Sequence, residues 1–209
     1  MILIWIFAFA VVITVHEASH AWMADKLGDP TPRLTGRLSL NPLVHYDPIG
    51  TTLLLVLALM RALGAPVIPF GWAKPVQFDP YNLKNPRKDA ALISLAGPLS
   101  NLILATIISI VARFSPILVN LAVPFIILNV ALAIFNLIPI HPLDGGKILI
   151  GLLPYQQARK TELFLSKFGM IMLFLLIFPT FGGGSLVSYI ISPVINLFTN
   201  ILLPQIPLV

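Results

Sequence analysis

The chain has no cysteine and few charged side chains. Without cysteine it has no disulfide, no thiolate metal site and no cysteine nucleophile. Charged residues make up 10% of the 209 positions, whereas an ordinary soluble domain contains about 25%. Hydrophobic residues make up 57%, which excludes a soluble globule and also a disordered chain, because disorder requires low hydrophobicity and high net charge. The composition therefore predicts a polytopic membrane protein.

The hydrophobic residues form stretches long enough to cross a membrane. A helix needs about 20 mostly apolar residues to span the hydrocarbon. We therefore predict an all-α protein with about five transmembrane helices, at residues 2–24, 90–112, 117–138, 163–181 and 186–203. The glycines at 182–184 predict a tight turn between the last two. A sixth apolar stretch, 49–63, is too short to span and predicts a re-entrant or interfacial helix.

Residues 25–89 form a connector between the first two predicted spans. It is rich in proline and glycine, which favour turns and extended chain. Segments 35–40 and 76–78 could form short strands, so a small membrane-associated β element is a further prediction. The connector also holds eight of the 13 basic residues, and the positive-inside rule places such a segment on the cytoplasmic side.

The first predicted span contains the motif HEASH, from His16 to His20. Residues four positions apart lie about 40° apart around a helix, so the two imidazoles project from one face. Together they offer two nitrogen ligands for Zn²⁺, and Glu17 is placed to act as a general base on a metal-bound water. The alternative is that these are buried polar residues that only join helices.

A catalytic zinc needs a third protein ligand and one open position. In a chain without cysteine, the candidates are the other histidines and the six aspartates. Asp144 is the aspartate in a strongly apolar setting, between the helix-breaking Pro139 and Pro142 and the small Gly145 and Gly146. The other five lie in the connector, where aspartate is typical of caps and turns. Asp144 is therefore the predicted third ligand.

Three motifs, HEASH, SLAGPLSNL and FNLIPIHPLDGG, together resemble the site-2 protease family of intramembrane zinc metalloproteases. The connector motifs NPLVHYDPIG and FGWAKPV are similar to those of its compact prokaryotic branch, which lacks PDZ and CBS domains. The resemblance implies one Zn²⁺ per chain, bound by His16, His20 and Asp144, with Glu17 activating water. It also implies that Asn136 helps hold the substrate backbone or the developing oxyanion.

The AGPxxN motif of the family corresponds to Ala96, Gly97, Pro98 and Asn101. The resemblance implies that this motif packs the second span against the metal-binding helix. It also implies a single intramembrane metalloprotease domain over 1–209, with a catalytic core at about 1–155 and two C-terminal spans at about 161–204.

Two further histidines have open roles. His45 could be a spare ligand, a substrate contact or a structural residue. His141 lies three residues before Asp144 and could compete as a ligand.

The implied function is endoproteolysis of transmembrane segments of other membrane proteins within the lipid bilayer, as in regulated intramembrane proteolysis, with no nucleic-acid partner. If the three ligands share one ion, the first and third spans end on the same side of the membrane. Segment 49–63 then does not cross, and the active site lies near the cytoplasmic face of a prokaryotic cell membrane. The alternative is a metal or proton transporter, since intramembrane His and acidic residues also mark ion pathways.

Overall fold

The computed structural model describes residues 2–64, 71–178 and 185–203. Within these ranges the chain is helical, with turns and extended connections but no β-strand. The predicted turn at 182–184 lies outside the described residues. The α-helices are α1 (Ile2–Lys26), α2 (Thr31–Leu34), α3 (Pro42–His45), α4 (Gly50–Ala62), α5 (Pro86–Ala112), α6 (Pro116–Asn136), α7 (Asp144–Leu152), α8 (Tyr155–Ile177) and α9 (Leu186–Leu202), and a 3₁₀ turn covers Pro80–Asn82.

Three helices of the described chain are long and apolar enough to cross a membrane. These spans are Leu3–Lys26 in α1, Pro86–Ala112 in α5 and Ile117–Asn136 in α6. They support the first three predicted spans and an integral membrane protein. Of the predicted span 163–181, residues 179–181 lie outside the described part. Helix α9 is apolar, and its 17 residues are at the lower limit of the length that a span needs.

Helix α4 corresponds to the short apolar stretch predicted at 49–63. It has 13 residues, which at 1.5 Å per residue make about 20 Å of helix. The hydrocarbon core is about 30 Å thick, so α4 is too short to span it.

Helix α5 lies at the centre of the bundle and contacts α1, α6, α7 and α9. Small residues allow these close approaches, as is common between helices in lipid. A cluster of Ala112, Val119, Ala122 and Ile126 packs the end of α5 against α6. Ile103 of α5 is 51% exposed and belongs to the outer, lipid-facing surface.

The strands predicted at 35–40 and 76–78 are absent from the described connector, so this prediction was wrong for these residues. The first segment begins in a turn instead, because Gly36 has a left-handed φ of 71° and Arg37 N donates to Pro32 O over 2.7 Å. The second segment has no regular secondary structure, and the Val76 N–H donates to a side chain.

We call residues 71–79 the strap. It has no regular secondary structure and is held to the rest of the connector by several hydrogen bonds, including two donated by its own backbone N–H groups. Lys74 N donates to the His45 carbonyl over 3.0 Å, and Asp79 N donates to Asp29 Oδ2 over 2.7 Å. Asp29 is fully buried and also accepts hydrogen bonds from Thr31 and Asn82. The strap therefore has a defined path past the end of α1.

Candidate metal centre

Helix α1 presents two buried imidazoles on one face. His16 and His20 are 4% and 9% exposed, and their rings meet edge to face with centroids 4.6 Å apart. This is the geometry expected for residues four apart on a helix.

Asp144, the first residue of α7 and 128 positions after His16, brings a carboxylate to these imidazoles. Its Oδ2 lies 3.2 Å from His16 Nε2 and 3.3 Å from His20 Nε2. In the described ranges these three side chains form a group whose candidate ligand atoms all lie within 4.8 Å of one another. The structure thus brings together the three residues predicted to share a metal ion.

Two glycines place Asp144 by allowing the first turn of α7 to pack closely on the loop after α6. A Cβ on Gly145 would collide with the carbonyl oxygens of Leu137 and Ile138. A Cβ on Gly146 would lie 3.1 Å from His141 N and from the Ile140 carbonyl carbon. The absence of side chains at the two glycines after Asp144 therefore allows α7 to pack this closely on the loop.

The outer nitrogen of each imidazole contacts an oxygen that can only accept a hydrogen bond. His16 Nδ1 lies 2.6 Å from Asn101 Oδ1, and His20 Nδ1 lies 2.7 Å from the Ile93 carbonyl. In each neutral ring the proton is therefore on Nδ1, and the Nε2 lone pair faces Asp144. Two nitrogen lone pairs and a carboxylate oxygen then converge, which is favourable when a cation lies between them.

The two distances from Asp144 to the imidazoles fit a tetrahedral zinc ion. Zinc binds histidine nitrogen and carboxylate oxygen at about 2.0–2.1 Å, which puts neighbouring tetrahedral ligands about 3.3 Å apart. The observed separations of 3.2 and 3.3 Å match this value. Two imidazoles and one carboxylate leave a fourth position open, as in catalytic zinc sites. The donor set also suits zinc better than magnesium or calcium, which prefer oxygen ligands.

Gly97 of α5 lies directly against the two imidazoles. A Cβ there would lie 2.5 Å from His20 Cε1 and Nε2 and 2.7 Å from His16 Cε1. Any larger residue would displace the rings, so the glycine of the AGP motif lets α5 support the histidines.

Glu17 lies beside the three-residue group and is not part of it. Its side chain is half-buried, and its Oε2 accepts a hydrogen bond from the Val76 N–H over 3.0 Å. The strap therefore holds a carboxylate next to the predicted metal ion, where a general base would be needed.

The other predicted site residues lie elsewhere. His45 is buried in the connector and donates through Nε2 to the Ser39 carbonyl over 2.9 Å. His141 is exposed, and its backbone and Cβ are close to Gly169 of α8. Neither histidine belongs to the group of three. Asn136 donates to the Leu132 carbonyl of its own helix over 3.1 Å, and its substrate-binding role stays a prediction.

Asn129 is not among the residues predicted from the sequence, yet it is fully buried in α6 and accepts a hydrogen bond from Asn101. Its position in the apolar run FIILNVALAIF was a usable indication, because a polar residue inside a span is costly and rarely neutral. The contact between Val76 and Glu17 had no such indication, since it uses a backbone N–H.

Comparison with known families identifies the family of the chain. The model of Peptidase family M50 matches residues 4–118 and 115–177. The chain belongs to Peptidase family M50. This match confirms the resemblance to the site-2 proteases.

Individual relatives agree with the family match. YwhC of Bacillus subtilis (strain 168), assigned as a zinc metalloprotease, is 39% identical over 199 residues, covering 89% of this chain and 83% of that protein. Stage IV sporulation protein FB of the same organism is 29% identical over 156 residues, covering 73% and 53%. The zinc metalloprotease MJ0392 of Methanocaldococcus jannaschii is 40% identical over 73 residues, covering 34% and 22%. No solved structure matches the chain significantly.

The chain is thus a membrane-embedded member of a peptidase family. The family match and the relatives do not favour the alternative of a metal or proton transporter.

Proposed function

We propose that the protein is an intramembrane zinc endopeptidase that cleaves transmembrane segments of other membrane proteins. The observation that carries this proposal is the convergence of His16 Nε2, His20 Nε2 and Asp144 Oδ2 within a bundle of membrane helices. In this proposal the three residues bind one zinc ion and Glu17 is the general base. The family match and the relatives named as zinc metalloproteases support it.

The residues around the group have separate tasks in the proposed reaction. A zinc ion held here would polarise the scissile carbonyl and lower the pKa of water towards about 7. Glu17 takes a proton from the attacking water and returns it to the amide nitrogen as the C–N bond breaks. The Val76 N–H orients Glu17 for this transfer. Asn136 would hold the substrate backbone or the developing oxyanion.

The proposed substrate is a transmembrane helix, whose amides are protected by hydrogen bonds within the helix. It must unwind locally before water can attack a carbonyl. Exposed backbone is tolerated at membrane depth where it is buried in protein or lines an aqueous cavity. We propose that the unwound segment lies along the strap, which already brings a backbone N–H to Glu17.

The proposed topology combines the ligand set with the basic residues. We retain five transmembrane helices in a single domain over 1–209, with the core at about 1–155 and the C-terminal spans at about 161–204. Helices α1 and α6 then end on the same side, and the short α4 does not cross. The basic connector makes this side cytoplasmic, so the active site lies near the cytoplasmic face of a prokaryotic cell membrane.

Cleavage and zinc content of matched variants test the proposal. The protein is reconstituted in liposomes with a tagged single-span reporter protein, and both zinc and cleavage products are measured. Glu17→Gln should keep zinc and lose cleavage, whereas His16→Ala should lose both. Ser19→Ala is the matched control, because Ser19 lies on the same helix and its hydroxyl donates only to the Val15 carbonyl. It should keep both.

Other results would contradict the proposal. Full cleavage activity in Glu17→Gln would show that Glu17 is not the general base. Zinc flux across the liposome membrane, without cleavage of any reporter by the unmodified protein, would favour a transporter.

A further inference from the structure

We propose that Asn129 is a positioning residue of the metal centre, which acts on His16 through Asn101. The inference rests on the proposed zinc site. It adds a contribution from α6, a helix that supplies none of the three ligands.

A chain of short hydrogen bonds joins the three side chains. His16 Nδ1 donates to Asn101 Oδ1 over 2.6 Å, and Asn101 Nδ2 donates to Asn129 Oδ1 over 2.7 Å. Asn101 Nδ2 also donates to the Val12 carbonyl over 3.1 Å, and Asn129 Nδ2 donates to the Phe125 carbonyl over 2.8 Å. Both asparagines are fully buried, so water does not compete for these groups.

The direction of each bond depends on the one before it. The Phe125 carbonyl can only accept, so it fixes the Asn129 amide with Oδ1 towards Asn101. That oxygen also only accepts, so it attracts Asn101 Nδ2 and leaves Asn101 Oδ1 facing His16. The imidazole then carries its proton on Nδ1, and the Nε2 lone pair points to Asp144.

His16 requires this control more than His20 does. The partner of His20 is the backbone carbonyl of Ile93, which cannot turn over. The partner of His16 is a side-chain amide, and its reversal would present Nδ2 to the imidazole. His16 would then carry its proton on Nε2, where the metal ion is proposed to bind.

A purely structural role for the two asparagines predicts a different outcome. Buried amides also join helices in membranes, and the pair does link α5 to α6. Loss of such a link would lower stability but leave the zinc affinity of the folded protein unchanged. A positioning role predicts a loss of zinc affinity in folded protein.

Zinc affinity of the purified full-length protein, measured by competition with a chelator, separates these roles. Asn101→Leu should weaken zinc binding by about 10- to 100-fold, the usual effect of losing the partner of a histidine ligand. Asn129→Leu should weaken it by about tenfold, at the lower end of that range, because the Val12 carbonyl still holds Asn101. Asn129→Asp keeps an acceptor for Asn101 and should retain most of the affinity.

The double variant provides the sharpest measurement. If Asn129 acts only through Asn101, Asn101→Leu/Asn129→Leu should bind zinc no more weakly than Asn101→Leu alone. Ser109→Ala is the matched control, since it removes another buried hydrogen bond, from α5 to the Leu202 carbonyl of α9. It should leave zinc affinity unchanged.

The possible results distinguish failure of the positioning role from failure of the proposed function. Unchanged zinc affinity in Asn129→Leu, or full additivity in the double variant, overturns the positioning role while the zinc site stands. If Asn129→Leu does not fold, Asn129→Ser gives the same test, because its polar side chain is too short to reach Asn101. If the unmodified protein binds zinc no better than His16→Ala, the proposed function itself fails.

Discussion

The Val76 N–H donates a hydrogen bond to Glu17 Oε2 over 3.0 Å, joining residues 59 positions apart. The contact holds the proposed general base from the connector and not from a neighbouring helix. Because the strap is fixed at His45 and Asp29, the position of Glu17 depends on the fold of the connector. The connector is therefore part of the proposed active site.

Removal of this N–H should impair catalysis without removing zinc. Val76→Pro lacks the donor, so Glu17 loses its orientation. We expect kcat for reporter cleavage to fall by about tenfold, a part of the 10²- to 10⁴-fold that general bases contribute. Val76→Ala keeps the N–H and should stay close to the unmodified protein. Equal activity of the two variants would show that the contact does not position Glu17.

Gly97→Ala should disrupt the metal centre by displacing the imidazoles. The new Cβ would lie 2.5 Å from His20 Nε2, and the backbone of α5 cannot easily retreat from α1. We expect zinc affinity to fall by at least about tenfold, measured by chelator competition. Thr106→Ala, at an exposed position of the same helix, is the control. A folded Gly97→Ala protein with unchanged zinc affinity would contradict the observed packing.

Loss of the Asp29 carboxylate should destabilise the connector. Asp29 accepts hydrogen bonds from Thr31, Asn82 and Asp79 and is fully buried. We expect Asp29→Ala to lower the free energy of unfolding by roughly 2–3 kcal/mol, since a hydrogen bond to a charged group contributes about 1.5–3 kcal/mol. Asp25→Ala removes a partly exposed ion pair with Arg33 and should cost less than about 1 kcal/mol. Thermal unfolding and limited proteolysis of the connector measure both effects.

The Asp29 carboxylate should also make the stability of the protein depend on pH. Burial alone would raise the pKa of Asp29, but hydrogen bonds from Thr31, Asn82 and Asp79 outweigh it and hold the pKa below its ordinary value. Its stabilisation is therefore complete above the unfolded pKa of about 3.9 and is lost as the pH falls through the lower folded pKa. Asp29→Ala should lack this acid-induced loss. An identical acid response in the variant would exclude Asp29 as its source.

The apolar stretches predicted the long helices better than they predicted helix ends. Helix α5 begins at Pro86 and α8 at Tyr155, several residues before the predicted spans at 90 and 163. Hydropathy identifies the part of a helix that faces lipid, whereas these helices continue into charged turns. Helix α7 was not predicted, because it is short and begins next to two glycines that disfavour helix.

Helical spacing was enough to predict the histidine pair, and the apolar setting was enough to select Asp144. The supporting contacts could not be predicted in the same way. His20 uses the Ile93 carbonyl, and Glu17 uses the Val76 N–H. Every residue has these backbone groups, so only the tertiary fold determines which of them meets the site.

The most direct test of the metal centre is zinc X-ray absorption spectroscopy of the purified protein and two aspartate variants. We predict about one zinc per chain, with two imidazole ligands at about 2.0–2.1 Å. Asp144→Ala should lose this zinc. Asp89→Asn changes another buried aspartate in the first turn of a helix and should keep it. Absence of zinc from the unmodified protein, or an unchanged ligand sphere in Asp144→Ala, would contradict the account.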